Sequence, residues 1–123
     1  MRRVLTPRLA LVSFGHFTID SYSSFFSPLL PLLMVKLHLS LTLVGSLVAL
    51  SALSSSFGQP LFGLLADRVR RPWFIAFGPL VAATFLSCIG LAPNYATLVV
   101  LLMLGGLGVA AFHPQAAVIA GNL

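Results

Sequence analysis

Charge is what this sequence has least of. Only 7% of its 123 residues are Asp, Glu, Lys or Arg, and 59% are hydrophobic, whereas a soluble domain carries about 25% charged residues. A soluble fold of this length must present a water-compatible exterior and cannot hide so much apolar surface. The shortage excludes an ordinary globular enzyme, a nucleic-acid-binding domain and a disordered segment. Acids are rarest, with Asp20 and Asp67 alone. Cysteine is almost absent: Cys88 stands by itself, so there is no intrachain disulfide and no cysteine-based metal site. No Ser/His/Asp set, phosphate loop or metal-ligand spacing occurs. No enzyme, cofactor or metal site is therefore expected, and no nucleic-acid partner.

What remains is long apolar runs, with a mean hydropathy of +1.05, the signature of transmembrane helices. The expectation is an all-α polytopic membrane protein with four spans, at about residues 9–35, 41–66, 73–92 and 95–112. Pro28 and Pro31 should kink or loosen the far end of the first span. A cleaved signal peptide with Arg2, Arg3 and Arg8 as its basic head is the rival reading of that stretch. His16 and Asp20 interrupt it, and further spans follow with no soluble domain to export, so a span is preferred. Ser40 or Thr42 is the expected N-cap of the second span. Pro93-Asn94 ends the third. Pro114 should break the chain after the fourth, with a short further helix over 115–123.

Lys and Arg set the orientation. Arg2, Arg3 and Arg8 precede the first span and Arg68, Arg70 and Arg71 follow the second, leaving Lys36 alone on the other side. Both termini are expected in the cytoplasm. The net charge of +5 is thus a topology signal and not a ligand site.

His16 and Asp20 are the ionisable residues inside the first span. Four apart, they share a helix face. Ser13, Ser23 or Ser24 and Ser27 extend that face into a polar stripe, which must meet protein or water and not lipid. An Asp near the centre of a span costs roughly 2.5–3.5 kcal/mol on insertion scales. A carboxylate and an imidazole set there can take up and release a proton, so His16 and Asp20 are the candidates for a proton-coupling or substrate path; hydrogen bonding to neighbouring helices is the alternative. In the second span Ser51, Ser55 and Gln59 form a row at intervals of four. It can line a cavity or act as packing glue, and Gln59 joins the candidate path. Gly105, Gly106, Gly108, Ala110 and Ala111 are expected to allow close helix contact. His113 and His38 fall near opposite membrane surfaces.

The segment from Gly63 through Ala66, Asp67 and Arg68 to Arg71 resembles the loop between helices two and three of the major facilitator superfamily. Arg70 stands where that pattern usually has Gly, and Pro72 where it often has Arg. Gly63 would let two helices approach closely, and Asp67 could accept hydrogen bonds at a helix N-terminus. The resemblance implies that Gly63, Asp67, Arg68 and Arg71 form a gating loop that braces the two halves of a transporter. Within the superfamily, His16 to Asp20, Pro28 with Pro31, Arg71-Pro72-Trp73 and Phe112-His113-Pro114 together are similar to the fosmidomycin-resistance-like transporters, so His113 and Pro114 mark the subgroup. That likeness implies proton-driven efflux of a small drug-like or metabolite substrate, and with it drug resistance, from a multi-pass protein of the plasma (inner) membrane. The Arg that many drug antiporters of the superfamily carry in helix four has no counterpart, since no Arg or Lys occurs after Arg71.

Members of the family have two six-helix halves with substrate bound between them. Four spans correspond to the first third, and the chain reads as an N-terminal fragment that does not transport alone and whose partner is the missing remainder. Two alternatives come from other classes. One is a complete four-span small multidrug-type transporter working as a dimer. It is disfavoured because Asp20 stands where such proteins usually have Glu and because the loop charges are one-sided. The other is a non-transporting membrane subunit, whose polar stripe would seat a partner helix.

Overall fold

The computed structural model describes residues 6–69 and 73–122. Arg2, Arg3, Arg70, Arg71 and Pro72 lie outside the described residues. Within them the chain is helical: α1 (Pro7–Ser24), α2 (Phe26–Leu37), α3 (Leu41–Arg68), α4 (Trp73–Ser87), a short 3-10 turn (Ile89–Leu91) and α5 (Tyr95–Gly121). Helices are what the composition demands, because in lipid every backbone polar group must be satisfied within its own segment.

Three stretches are long and apolar enough to cross a membrane: Leu41–Arg68, Trp73–Leu91 and Tyr95–Gly121. The expected first span is instead divided at Phe25 into helices of 18 and 12 residues. Pro28 accounts for the division. It has no N–H to give to the carbonyl of Ser24, and its ring crowds that carbonyl. Phe25 itself keeps helical dihedrals (φ −66°, ψ −22°), and its N–H reaches the Ser21 carbonyl at 3.3 Å. The ladder is loosened there without a reversal of the chain.

The expected break at Pro114 is absent. Helix α5 runs through it to Gly121. A single proline removes one hydrogen bond, and in a membrane helix flanking packing restores the rest. The packing here is tight, since Ala110, Ala111, Phe112, Gln115 and Ala116 around the proline are all buried.

Short polar residues set the ends. The Thr6, Ser40 and Asn94 side chains accept from the N–H groups of Leu9 (3.2 Å), Leu43 (3.3 Å) and Thr97 (2.9 Å), as N-caps do. Ser40, and not Thr42, is the cap of α3. His38 closes α2 in the left-handed region (φ 51°), the usual geometry of a helix stop.

Helix α5 is the centre of the molecule. It packs against α3 on one side and α4 on the other, and α1 lies against α4 and α5. The α4–α5 crossing is closest at Gly78 and Gly108. A Cβ on Gly108 would lie 2.5 Å from the Ala82 nitrogen, and one on Gly78 would lie 2.9 Å from the Gly108 carbonyl oxygen. Backbone meets backbone there, as small residues allow between membrane helices. Two polar ties fasten one end of the bundle. Lys36 at the end of α2 donates to the Gly90 and Ala92 carbonyls (2.7 and 3.1 Å). The hydroxyls of Ser46 on α3 and Tyr95 on α5 bond at 2.7 Å.

Candidate functional site

The helical spacing of α1 places His16 one turn before Asp20, and the two side chains meet: His16 Nε2 lies 3.1 Å from Asp20 Oδ2. The other carboxylate oxygen faces a second imidazole. His113 Nε2, carried by α5, is 4.0 Å from Asp20 Oδ1. The two imidazole rings stand edge to face with centroids 4.9 Å apart, and Phe112 packs against His16 in the same manner. One carboxylate is thus flanked by two imidazoles from two helices.

Asp20 borders three cavities, one of about 510 Å³ along α1 with Phe17, Ser21, Ser24, Phe25 and Pro28, and two that it shares with His113. The larger of these two, about 900 Å³, is lined by α1 from Leu9 to Asp20, by Gln59 of α3, and by α5 from His113 to Ala120. The smaller, about 230 Å³, continues past Asp20 and His113 to Ser51, Ser55, Gln59 and Gly106. Asp20, Gln59 and His113 border both. The groove is therefore bounded by α1 and α3 with α5 between them. The rest of its wall is apolar apart from His16, Ser13 and Ser23. The side chains of His16 and Asp20 are 51% and 54% exposed. Lipid is a forbidding neighbour for such a pair, so this face of α1 belongs against water or further protein.

Several hydroxyls of α1 give their proton to the helix itself. Thr18, Ser21, Ser23 and Ser24 donate to α1's own carbonyls at 2.6–2.9 Å in their shortest bonds. Ser54 and Ser55 do the same toward Ser51. Backbone bonding of this kind is the ordinary fate of a hydroxyl inside a helix. Gln59 differs. It is half-buried on the cavity wall, and its amide makes no hydrogen bond to a described residue. His16, Asp20 and Gln59 are brought together. His113, read in sequence only as a subgroup marker, joins them, and a histidine in an otherwise apolar helix is the signal that could have found it.

The residues of the expected gating loop gather elsewhere. Gly63, Ala66 and Asp67 line a cavity of about 260 Å³ with Pro114, Gln115 and Val118 of α5. Arg68 is exposed in the last turn of α3, and Arg71 lies outside the described residues. Two details differ from expectation. A Cβ on Gly63 would sit 3.8 Å from that of Pro114, ordinary contact, so no close approach depends on this glycine. Asp67 occupies the C-terminal turn of α3 and not a helix N-terminus. The open N–H of Ile75 in the first turn of α4 is taken by Gln115 Oε1 at 3.0 Å, since the buried amide of Gln115 projects to it from α5. Gln115 was not singled out in the sequence.

The family model described as Major Facilitator Superfamily matches residues 12–123. Among curated proteins, the chain is 36% identical over 93 residues to the MFS-type transporter SLC18B1 of Rattus norvegicus, covering 73% of this chain and 20% of that one. It is 27% identical over 112 residues to the fosmidomycin resistance protein of Escherichia coli, covering 91% of this chain and 28% of that one. It is 30% identical over 111 residues to the transporter YfnC of Bacillus subtilis, covering 89% and 27% respectively. The chain thus spans between a fifth and a little over a quarter of the length of these relatives. No solved structure matches significantly.

Proposed function

The chain belongs to the major facilitator superfamily, and from that premise we propose that it forms the N-terminal part of a proton-coupled efflux transporter for a small drug-like or metabolite substrate. In this reading α1 and α2 together make the first span, followed by α3, α4 with its 3-10 turn, and α5. Both termini of the described region face the cytoplasm of a plasma (inner) membrane protein. The groove between α1 and α3 is one wall of the substrate path. Asp20 and His16 bind the coupling proton, and Gln59 contributes an amide to the substrate. Gly63, Asp67, Arg68 and Arg71 belong to the gate, and His113 with Pro114 supports the fosmidomycin-resistance-like assignment.

The observation that carries this reading is the exposed carboxylate of Asp20 between two imidazoles at the border of three cavities. An ionisable group at membrane depth marks an ion or substrate pathway. Major facilitator sites lie near the bilayer midplane between repeats, so the exposed face of α1 is where the rest of the transporter would close. The family match over most of the chain favours this architecture over a four-span dimer.

The test uses the native polypeptide that carries these residues, reconstituted in vesicles with an acidic lumen and a trapped pH dye. Adding fosmidomycin or a lipophilic cationic dye outside should draw protons out of the lumen. Asp20→Asn should reduce the signal to the leak of protein-free vesicles. Proton release unchanged in Asp20→Asn, or none with either compound in the unaltered protein, would overturn the reading.

A further inference from the structure

Asp20 is the point of contact between two imidazoles that are held by different helices. His16 rides on the same helix as the carboxylate and approaches to 3.1 Å. His113 rides on α5 and stands at 4.0 Å, which is within ion-pair reach but about 1 Å longer than a hydrogen bond. Their rings face each other with centroids 4.9 Å apart. One carboxylate can neutralise one imidazolium. A second proton on the pair would place two like charges side by side with a single counter-charge, which is unfavourable at so short a separation. Among the described residues no other charged or titratable group faces the cluster. The groove wall from α3 offers Gln59, Ser51 and Ser55, and α4 (Trp73–Ser87) contains no Asp, Glu, Lys, Arg or His.

We infer that His16, Asp20 and His113 form one proton-binding site shared between α1 and α5, in which a single excess proton resides on either imidazole and Asp20 holds whichever one carries it. The inference deepens the proposed function and rests on it for the aqueous face of α1. It assigns His113 a part in coupling that a motif reading does not. With the proton on His16, the ion pair is internal to α1 and does not reach α5. With the proton on His113, the carboxylate bridges α1 to α5 and favours closing the 4.0 Å gap. Transfer between the two states is balanced. The N–H bond at His113 Nε2 breaks and an O–H bond forms at Asp20 Oδ1, leaving a neutral imidazole and a neutral acid. Rotation of the carboxyl group then delivers the proton to His16 Nε2, restoring the carboxylate. Because only one of the two states joins the helices, the position of the proton and the spacing of α1 and α5 are linked, which is the element a coupled transporter requires.

The experiment is imidazole ¹⁵N NMR on the native polypeptide in lipid nanodiscs with labelled histidine, titrated with pH. Signals are assigned by substitution, and His38→Asn serves as a control at a remote position whose left-handed backbone suits Asn. Interacting sites titrate in linked steps that belong to the pair. His16 and His113 should therefore show matching two-step curves in the unaltered protein. His113→Asn should convert the His16 curve to a single step, His16→Asn should do the same to His113, and His38→Asn should change neither. Single-step, independent curves in the unaltered protein, or a His16 curve indifferent to His113→Asn, would overturn the shared site. Vesicle flux separates the two claims. Linked titration without substrate-driven proton release refutes the transport reading and leaves the shared site standing. Proton release with independent titrations refutes the shared site alone.

Discussion

Gly58 and Gly63 lie five residues apart on α3 and pose opposite demands. A Cβ at Gly58 would fall 2.6 Å from the Ala110 Cβ, whereas at Gly63 the nearest neighbour is Pro114 at 3.8 Å. Gly58→Ala must push α3 from α5 and should lower stability by about 1–3 kcal/mol. Gly63→Ala makes an ordinary contact with Pro114 and removes the flexibility cost of a helical glycine, so it should gain about 0.5–1 kcal/mol. Thermal unfolding of the two variants in detergent, side by side, checks the pair. At Gln115 the loss is polar. Its Oε1 accepts from the Ile75 N–H, and Gln115→Ala leaves that donor unpaired in the first turn of α4. The expected cost is about 1–2 kcal/mol, read as a lower melting temperature and faster amide exchange confined to the start of α4.

At the scale of elements, prolines decide where helices weaken. Pro28 leaves the Ser24 carbonyl without its helical partner and divides α1 from α2, while Pro114 leaves α5 whole. The chemistry is the same at both positions. The residues flanking Pro114 are mostly packed inside, whereas Phe25 and Pro28 are exposed; exposure alone does not divide a helix, since the exposed Pro31 and Pro60 lie within unbroken α2 and α3. Pro28→Ala restores one donor and should join the two helices. Amide exchange across residues 25–29 should slow by about five- to tenfold, the equivalent of one hydrogen bond of about 1 kcal/mol. Unchanged exchange would mean that something other than the missing N–H divides the segment. The glycines of α4 and α5 are the counterpart of the prolines, since Gly78 and Gly108 allow a backbone contact that no larger residue would permit.

At the scale of the whole molecule, polar ties cluster at one end of the bundle. Lys36 fastens the end of α2 to the turn after α4. Lys36→Met keeps the aliphatic stem and removes both bonds. A loss of about 1 kcal/mol is expected, since the ammonium is exposed and water replaces part of what is lost. The charge asymmetry predicts the membrane sidedness. In a Cys88→Ser background, His38→Cys should react with an impermeant maleimide added outside intact cells, and Val69→Cys only after permeabilisation. The reverse pattern would invert the proposed topology.

Much of this was open to reading along the chain. Helicity, the three long apolar helices, the cap at Ser40 and the pairing of His16 with Asp20 depend on residues within a few positions of one another. A bilayer leaves a backbone little choice but to satisfy itself locally, so composition and spacing suffice for them. The meeting of Asp20 with His113, the service of Gln115 to α4 and the irrelevance of a close contact at Gly63 join residues from different helices. They depend on how α5 is rotated and how near it lies to α3 and α4, and that is set by the packing of Gly58 on Ala110 and of Gly78 on Gly108. Side-chain volume at such crossings, summed over partners distant in sequence, is a property of the folded molecule, and no local pattern carries it.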